Sequence, residues 1–213
     1  MKKYLAEFIG TFALVFCGTG AIVINDVTNG GVGHIGIALT FGMIVTAMIY
    51  AFGNISGAHI NPAVSIAFSL TDRFNKKYLA GYLIAQLLGA FFASGILRIL
   101  FQTHETLGAT IPFDTWHQTF ILEIILTYLL MVVILFVSQN KSVSSFTGLA
   151  VGGTVMLEAM FAGPITGASM NPARSLAPAI VSGNIADLWI YILAPIIGAI
   201  LASLTWFLLN NEV

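Results

Sequence analysis

The groups with chemistry to offer are two asparagines, an arginine and three carboxylates, set in an overwhelmingly apolar chain. Asn61 and Asn171 occupy the same place in a stretch that is written twice, ISGAHINPAVS at 55–65 and ITGASMNPARS at 165–175. Seven of the eleven positions are identical, at an offset of 110 in a chain of 213 residues, so the stretch marks an internal duplication. Asparagine suits the N-cap of a helix and proline its first helical position, where no amide donor is needed. Gly57 and Gly167 permit tight turns just upstream. Each copy therefore predicts an extended loop that becomes a helix at the asparagine. One copy alone reads equally well as an ordinary capped helix; two in matched settings do not. The chemistry implied is hydrogen-bond acceptance by carbonyls exposed along the loops, at Gly57, Ala58, His59, Gly167, Ala168 and Ser169.

Arg174 breaks the repeat, since its counterpart is Val64. A guanidinium in an apolar span is costly and is by default a functional group; its bland alternative is a salt bridge to Glu158, Glu123 or Asp187. Glu7 and Glu123 are equivalent across the repeat, in AEFIGTFALV (6–15) and LEIILTYLLM (122–131). A structural role is expected of both, accepting hydrogen bonds from loop backbone or from His59, because an unpaired buried carboxylate is very costly. Proton coupling is the rival role. Glu158 has Met48 as its counterpart, so no symmetry explains it. It is expected to brace the second loop or Arg174, with direct solute contact as its rival.

No His/Cys/Asp/Glu spacing suggests a metal, and no nucleophile–base pairing or glycine-rich phosphate loop stands out. Neither a cofactor nor an enzyme activity is expected. A single cysteine, Cys17, excludes a disulfide framework. A net charge of −1 without a basic patch argues against a nucleic-acid partner.

The elements that position these groups follow from composition. The chain is 58% hydrophobic and 8% charged, with a mean hydropathy of +0.94, whereas soluble domains carry about 25% charged residues. Six stretches are long enough to cross a bilayer: 4–25, 34–54, 78–101, 117–138, 143–163 and 187–209. The segments 61–71 and 171–182 reach only about half way and are predicted as re-entrant half-helices. The lysine-bearing start imitates a signal peptide, but Glu7 interrupts its apolar run, which favours a retained first span.

YLIAQLLGA (82–90) pairs with YILAPIIGA (191–199), so each half, roughly 1–105 and 115–213, holds three spans and one half-helix. The chain is thus an all-α membrane protein with a single domain, 1–213, built as an inverted repeat. Lys2, Lys3, Arg73, Lys76, Lys77 and Lys141 fall on one side, which the positive-inside rule makes cytoplasmic, together with both termini. Irregular backbone at membrane depth needs burial in protein or a water-filled cavity beside it, so a pore along the two loops is the economical explanation.

Two Asn-Pro-Ala triplets, 61–63 and 171–173, the second followed by Arg174, on six spans resemble the aquaporin and aquaglyceroporin superfamily along essentially the whole chain. The resemblance implies a homotetramer with one pore per subunit in the cell membrane. It also implies that Asn61 and Asn171 donate hydrogen bonds at the pore midplane, and that Phe41, Ala159, Ala168 and Arg174 form an outer selectivity filter. That filter set is similar to the plant nodulin-like branch and its bacterial relatives, and Ser175 agrees. The implied function is a passive channel for small uncharged solutes (glycerol, urea or neutral metalloid acids, with some water) that excludes ions and protons. A strict water channel is the nearest alternative. A secondary transporter using Glu7, Glu123 or Glu158 is the alternative from another class.

Overall fold

A computed structural model describes residues 1–210. Six long helices, α1 (Lys2–Val27), α2 (Gly33–Ser56), α4 (Leu79–Leu100), α5 (Trp116–Gln139), α6 (Thr147–Thr166) and α8 (Leu188–Asn210), carry two short ones, α3 (Pro62–Leu70) and α7 (Pro172–Ser182). All six long helices are apolar and long enough to cross a membrane, at a rise of ~1.5 Å per residue. Single turns of 3-10 helix at 76–78 and 144–146 lead into α4 and α6. α6 therefore starts four residues later than the span expected from hydropathy, and it runs on to Thr166 despite Pro164. Pro164 has no N–H for the Met160 carbonyl, and the His34 ring takes that carbonyl instead, at 2.6 Å.

The two halves pack alike. α1 lies on α4 and α5 on α8, each through a glycine. A Cβ on Gly89 would stand 2.3 Å from the Phe8 carbonyl oxygen, and one on Gly198 would stand 2.4 Å from that of Ile124. α2 crosses α6 where the halves meet. A Cβ on Gly42 would lie 2.5 Å from the Gly152 oxygen, and one on Gly152 would lie 2.4 Å from the Gly42 oxygen. Without a hydrophobic drive between helices in lipid, such small residues let the backbones close to contact.

Both loops follow one plan. α2 and α6 end in left-handed caps at Gly57 (φ 86°) and Gly167 (φ 81°), the conformation glycine adopts without a Cβ penalty. Asn61 and Asn171 cap α3 and α7, their side chains accepting from Ala63 N–H (2.9 Å) and Ala173 N–H (3.0 Å), with proline at the first helical position of each. Gln139 bonds Asn210, Arg73 bonds the Leu135 carbonyl, and the Lys3 ammonium lies 3.6 Å from the centre of the Tyr78 ring. The start of α1, the 71–78 turn, the 139–146 turn and the end of α8 accordingly share one face, termed here the terminal face. Segments 28–33, 101–115 and 183–187 make the distal face.

Candidate functional site

The half-helices meet tip to tip and lock across the repeat. Asn61 Nδ2 donates to the Met170 carbonyl (2.8 Å), and Asn171 Nδ2 donates to the Ile60 carbonyl (2.9 Å). Each amide thereby uses one N–H in the clamp and keeps the other. The helix N-termini at this point bring the positive ends of their dipoles together.

The approach to each tip is strained backbone. Ala58 (φ 45°), Ile60 (φ 44°), Ala168 (φ 41°) and Met170 (φ 53°) are all left-handed without being glycine, a conformation that costs of order 1 kcal/mol or more per residue. Two buried carboxylates hold it. Glu7 Oε1 accepts from Ser56 Oγ (2.7 Å) and His59 N–H (2.9 Å), while Oε2 accepts from Ile60 N–H (2.7 Å) and Gln86 Nε2 (2.8 Å). Glu123 repeats the arrangement with Thr166 Oγ1 (2.7 Å), Ser169 N–H (2.8 Å) and Met170 N–H (2.9 Å). The fourth donor is missing there because Pro195 stands where the other half has Gln86. The His59 ring does not reach Glu7; its Nδ1 lies 3.0 Å from Ser65 Oγ.

With their N–H groups turned back to the carboxylates, the loops turn their other side to a cavity. Gly57, Ala58, His59, Ile60 and Asn61 line it from one half, and Ala168, Ser169, Met170 and Asn171 from the other. Gly167, also expected in the lining, is not part of it; Ile60 and Met170, not expected, are. The opposite wall is apolar, with Leu14, Val45, Ile49, Leu130, Ile134 and Val155. At the terminal face the cavity reaches Ser138 and Thr147, and an adjoining open recess there shares both residues and adds Arg73 and Asn54.

Toward the distal face the cavity ends at Phe41, Ala168 and Arg174. Arg174 is 1% exposed. Its Nη1 donates to the Gly108 carbonyl (2.8 Å), and its guanidinium carbon lies 4.9 Å from the centre of the Phe41 ring, within cation–π range. Nε has no partner. Among the described residues no carboxylate pairs with Arg174, so the salt-bridge alternative is not what holds it. Ala159 is buried, but it is not among the lining residues; Val155, one turn earlier on α6, is.

Glu158 corrects an expectation. It is 4% exposed, yet among the described residues neither carboxylate oxygen has a hydrogen-bond partner, and it does not line the cavity. It braces neither the second loop nor Arg174.

Several working residues were not singled out from sequence. Ser56 and Thr166 carried a signal, since the repeat keeps a hydroxyl there. Gln86 carried a partial one, lying in a repeated segment but at a position its copy does not share. Gly108 carried none, because it sits in the irregular 101–115 connection. Neither did Thr110, which donates to Ser175 Oγ at 2.8 Å.

Residues 1–206 match the family model described as major intrinsic protein. Among curated proteins, aquaporin NIP1-1 of Zea mays is 44% identical over 212 residues, 99% of this chain and 75% of its own length. Nodulin-26 of Glycine max is 46% identical over 202 residues, 94% of this chain and 74% of its own length. Among solved structures, the aquaglyceroporin from Plasmodium falciparum superposes with a TM-score of 0.85 at 26% identity, covering 96% of this chain and 94% of that one. Six apolar spans, two half-helices and a whole-length match of this kind have one meaning: the chain belongs to the major intrinsic protein family of membrane channels.

Proposed function

We propose that the loop-lined cavity is the permeation path and that it conducts small uncharged solutes of the size of glycerol, urea or an undissociated metalloid acid, together with water. The observation that carries this reading is the asymmetry at the distal end. Arg174 and Phe41 form one polar and one aromatic edge, while Ala168 offers only a methyl group, and Ala159, buried on α6 outside the lining, brings no polar group either. A solute with one hydroxyl edge and one carbon edge suits such a ring, with hydroxyls on the arginine and carbons on the ring and methyls. Below it, the row of carbonyls from 57–59 and 168–169 and the spare N–H groups of Asn61 and Asn171 replace the hydrogen bonds that the solute leaves in water. The meeting of two helix N-termini at the midplane disfavours cations, hydronium included. The name of the structural relative, an aquaglyceroporin, points the same way.

The transporter alternative loses support from the carboxylates. Glu7 and Glu123 have every oxygen engaged by loop donors, and Glu158 is off the path. We further propose that the terminal face is cytoplasmic, on the distribution of lysines and arginines. We also propose that four subunits, each with its own pore, assemble in the cell membrane, as the aquaporin resemblance implies.

The test is stopped-flow swelling of proteoliposomes with the wild type and with Ala159→His/Ala168→Thr. The double variant should cut glycerol flux roughly tenfold or more while sparing most water flux, since one added group in a tight site discriminates by about that factor. A wild type that passes water and excludes glycerol would make this a strict water channel.

A further inference from the structure

α1 contributes Leu14 to the cavity wall, and one helical turn further on comes Gly18, buried. Its φ lies outside the left-handed region, so alanine would suit the backbone and would favour the helix by about 1 kcal/mol. Backbone conformation therefore does not call for glycine here. Space does. A Cβ on Gly18 would stand 2.2 Å from Phe41 Cε1, 2.5 Å from Cδ1 and 2.6 Å from Cζ. The ring rests against the bare backbone of α1, with the Arg174 guanidinium 4.9 Å from its centre.

We propose that Gly18 determines solute specificity as a positioning residue: its missing side chain lets the Phe41 ring lie back against α1, and this sets the free width between that ring and the opposite wall. The inference rests on the reading of Phe41 as a wall of the filter. Ordinary carbon–carbon contact is ~3.5–4.0 Å. An alanine methyl at 18 would thus push the ring edge by more than about 1 Å. The ring is anchored at its own Cβ on α2, and the space open to it is the cavity it lines. A shift of that size takes up a large part of the clearance that separates a polyol from water. No repeated motif contains Gly18, and its counterpart at the same register of the second half, Ile134, is a large side chain.

The experiment is a cycle of Gly18→Ala, Phe41→Ala and the double variant, reconstituted in proteoliposomes, with water and glycerol permeabilities measured on each. Gly18→Ala should lower the glycerol-to-water permeability ratio by roughly tenfold. In the Phe41→Ala background the same change should leave the ratio within a factor of about two, because the ring it displaces is gone. If Gly18→Ala alone does not fold, recovery of folded protein on adding Phe41→Ala establishes the same contact, and Gly18→Ser/Phe41→Leu against Phe41→Leu then reads the ratio. An unchanged ratio in Gly18→Ala, an equal change in both backgrounds, or a folding defect that Phe41→Ala does not relieve overturns the proposal. A Phe41→Ala variant that by itself leaves the ratio unchanged overturns instead the assignment of Phe41 to the filter.

Discussion

Glu158 and Glu7 are the same residue type at similar depth and do opposite things. Glu7 spends its two oxygens on four donors, which offsets the cost of burying it and keeps Ile60 in a left-handed conformation. Glu158 is buried with nothing among the described residues to accept from. Removing both acceptors at once is therefore predicted to stabilise the protein: Glu158→Leu should raise the unfolding free energy in detergent by about 1–3 kcal/mol, the penalty of an unsatisfied buried polar group. A drop in thermal midpoint for that variant would mean that the carboxyl has a partner. Glu123→Gln should do the reverse. Whichever way its amide turns, an NH2 group meets at least one loop N–H, from Ser169 or Met170, and the expected loss is again about 1–3 kcal/mol, read as a lower thermal midpoint.

Between elements, the decisive contact is the crossing of α2 and α6. Thr46 Oγ1 donates within reach of both the Gly42 and the Gly148 carbonyls, each at 3.1 Å, and a Cβ on Gly152 would land 1.9 Å from that hydroxyl. Gly152→Ala should cost about 1–3 kcal/mol by overpacking. Its neighbour is the control: nothing lies within 4 Å of a Cβ on Gly153, so Gly153→Ala should be neutral or should stabilise by up to about 1 kcal/mol. Thermal unfolding of the two purified variants side by side checks the pair. Equal effects would mean that the crossing does not depend on the missing methyl.

For the whole molecule, the proposed orientation puts the 139–146 turn in the cytoplasm. With Cys17→Ser removing the native thiol, a cysteine introduced by Lys141→Cys should resist a membrane-impermeant maleimide added to intact cells and react once the membrane is opened. Ready labelling from outside would invert the molecule and place the Phe41–Arg174 end on the cytoplasmic side.

How much of this was legible before folding differs by the range of the interaction. Asn61-Pro62 and Asn171-Pro172 determine their own helix starts, and Gly57 and Gly167 their own left-handed caps, because capping and φ preference act over a few residues. Length and apolar composition determined six spans and two half-spans, and the doubled stretch determined an inverted repeat, with Glu7 and Glu123 each on the side of its own loop. Only the packed chain decided which atoms meet across it. Gly108, from a connection with no regular pattern, supplies the carbonyl that holds Arg174. Gln86 gives Glu7 a donor that Pro195 denies to Glu123. Glu158 is left without a donor among the described residues, and Gly18 yields its space to a ring from another helix. Each of these depends on which atoms of segments far apart in sequence come into contact, where no local preference of the chain acts.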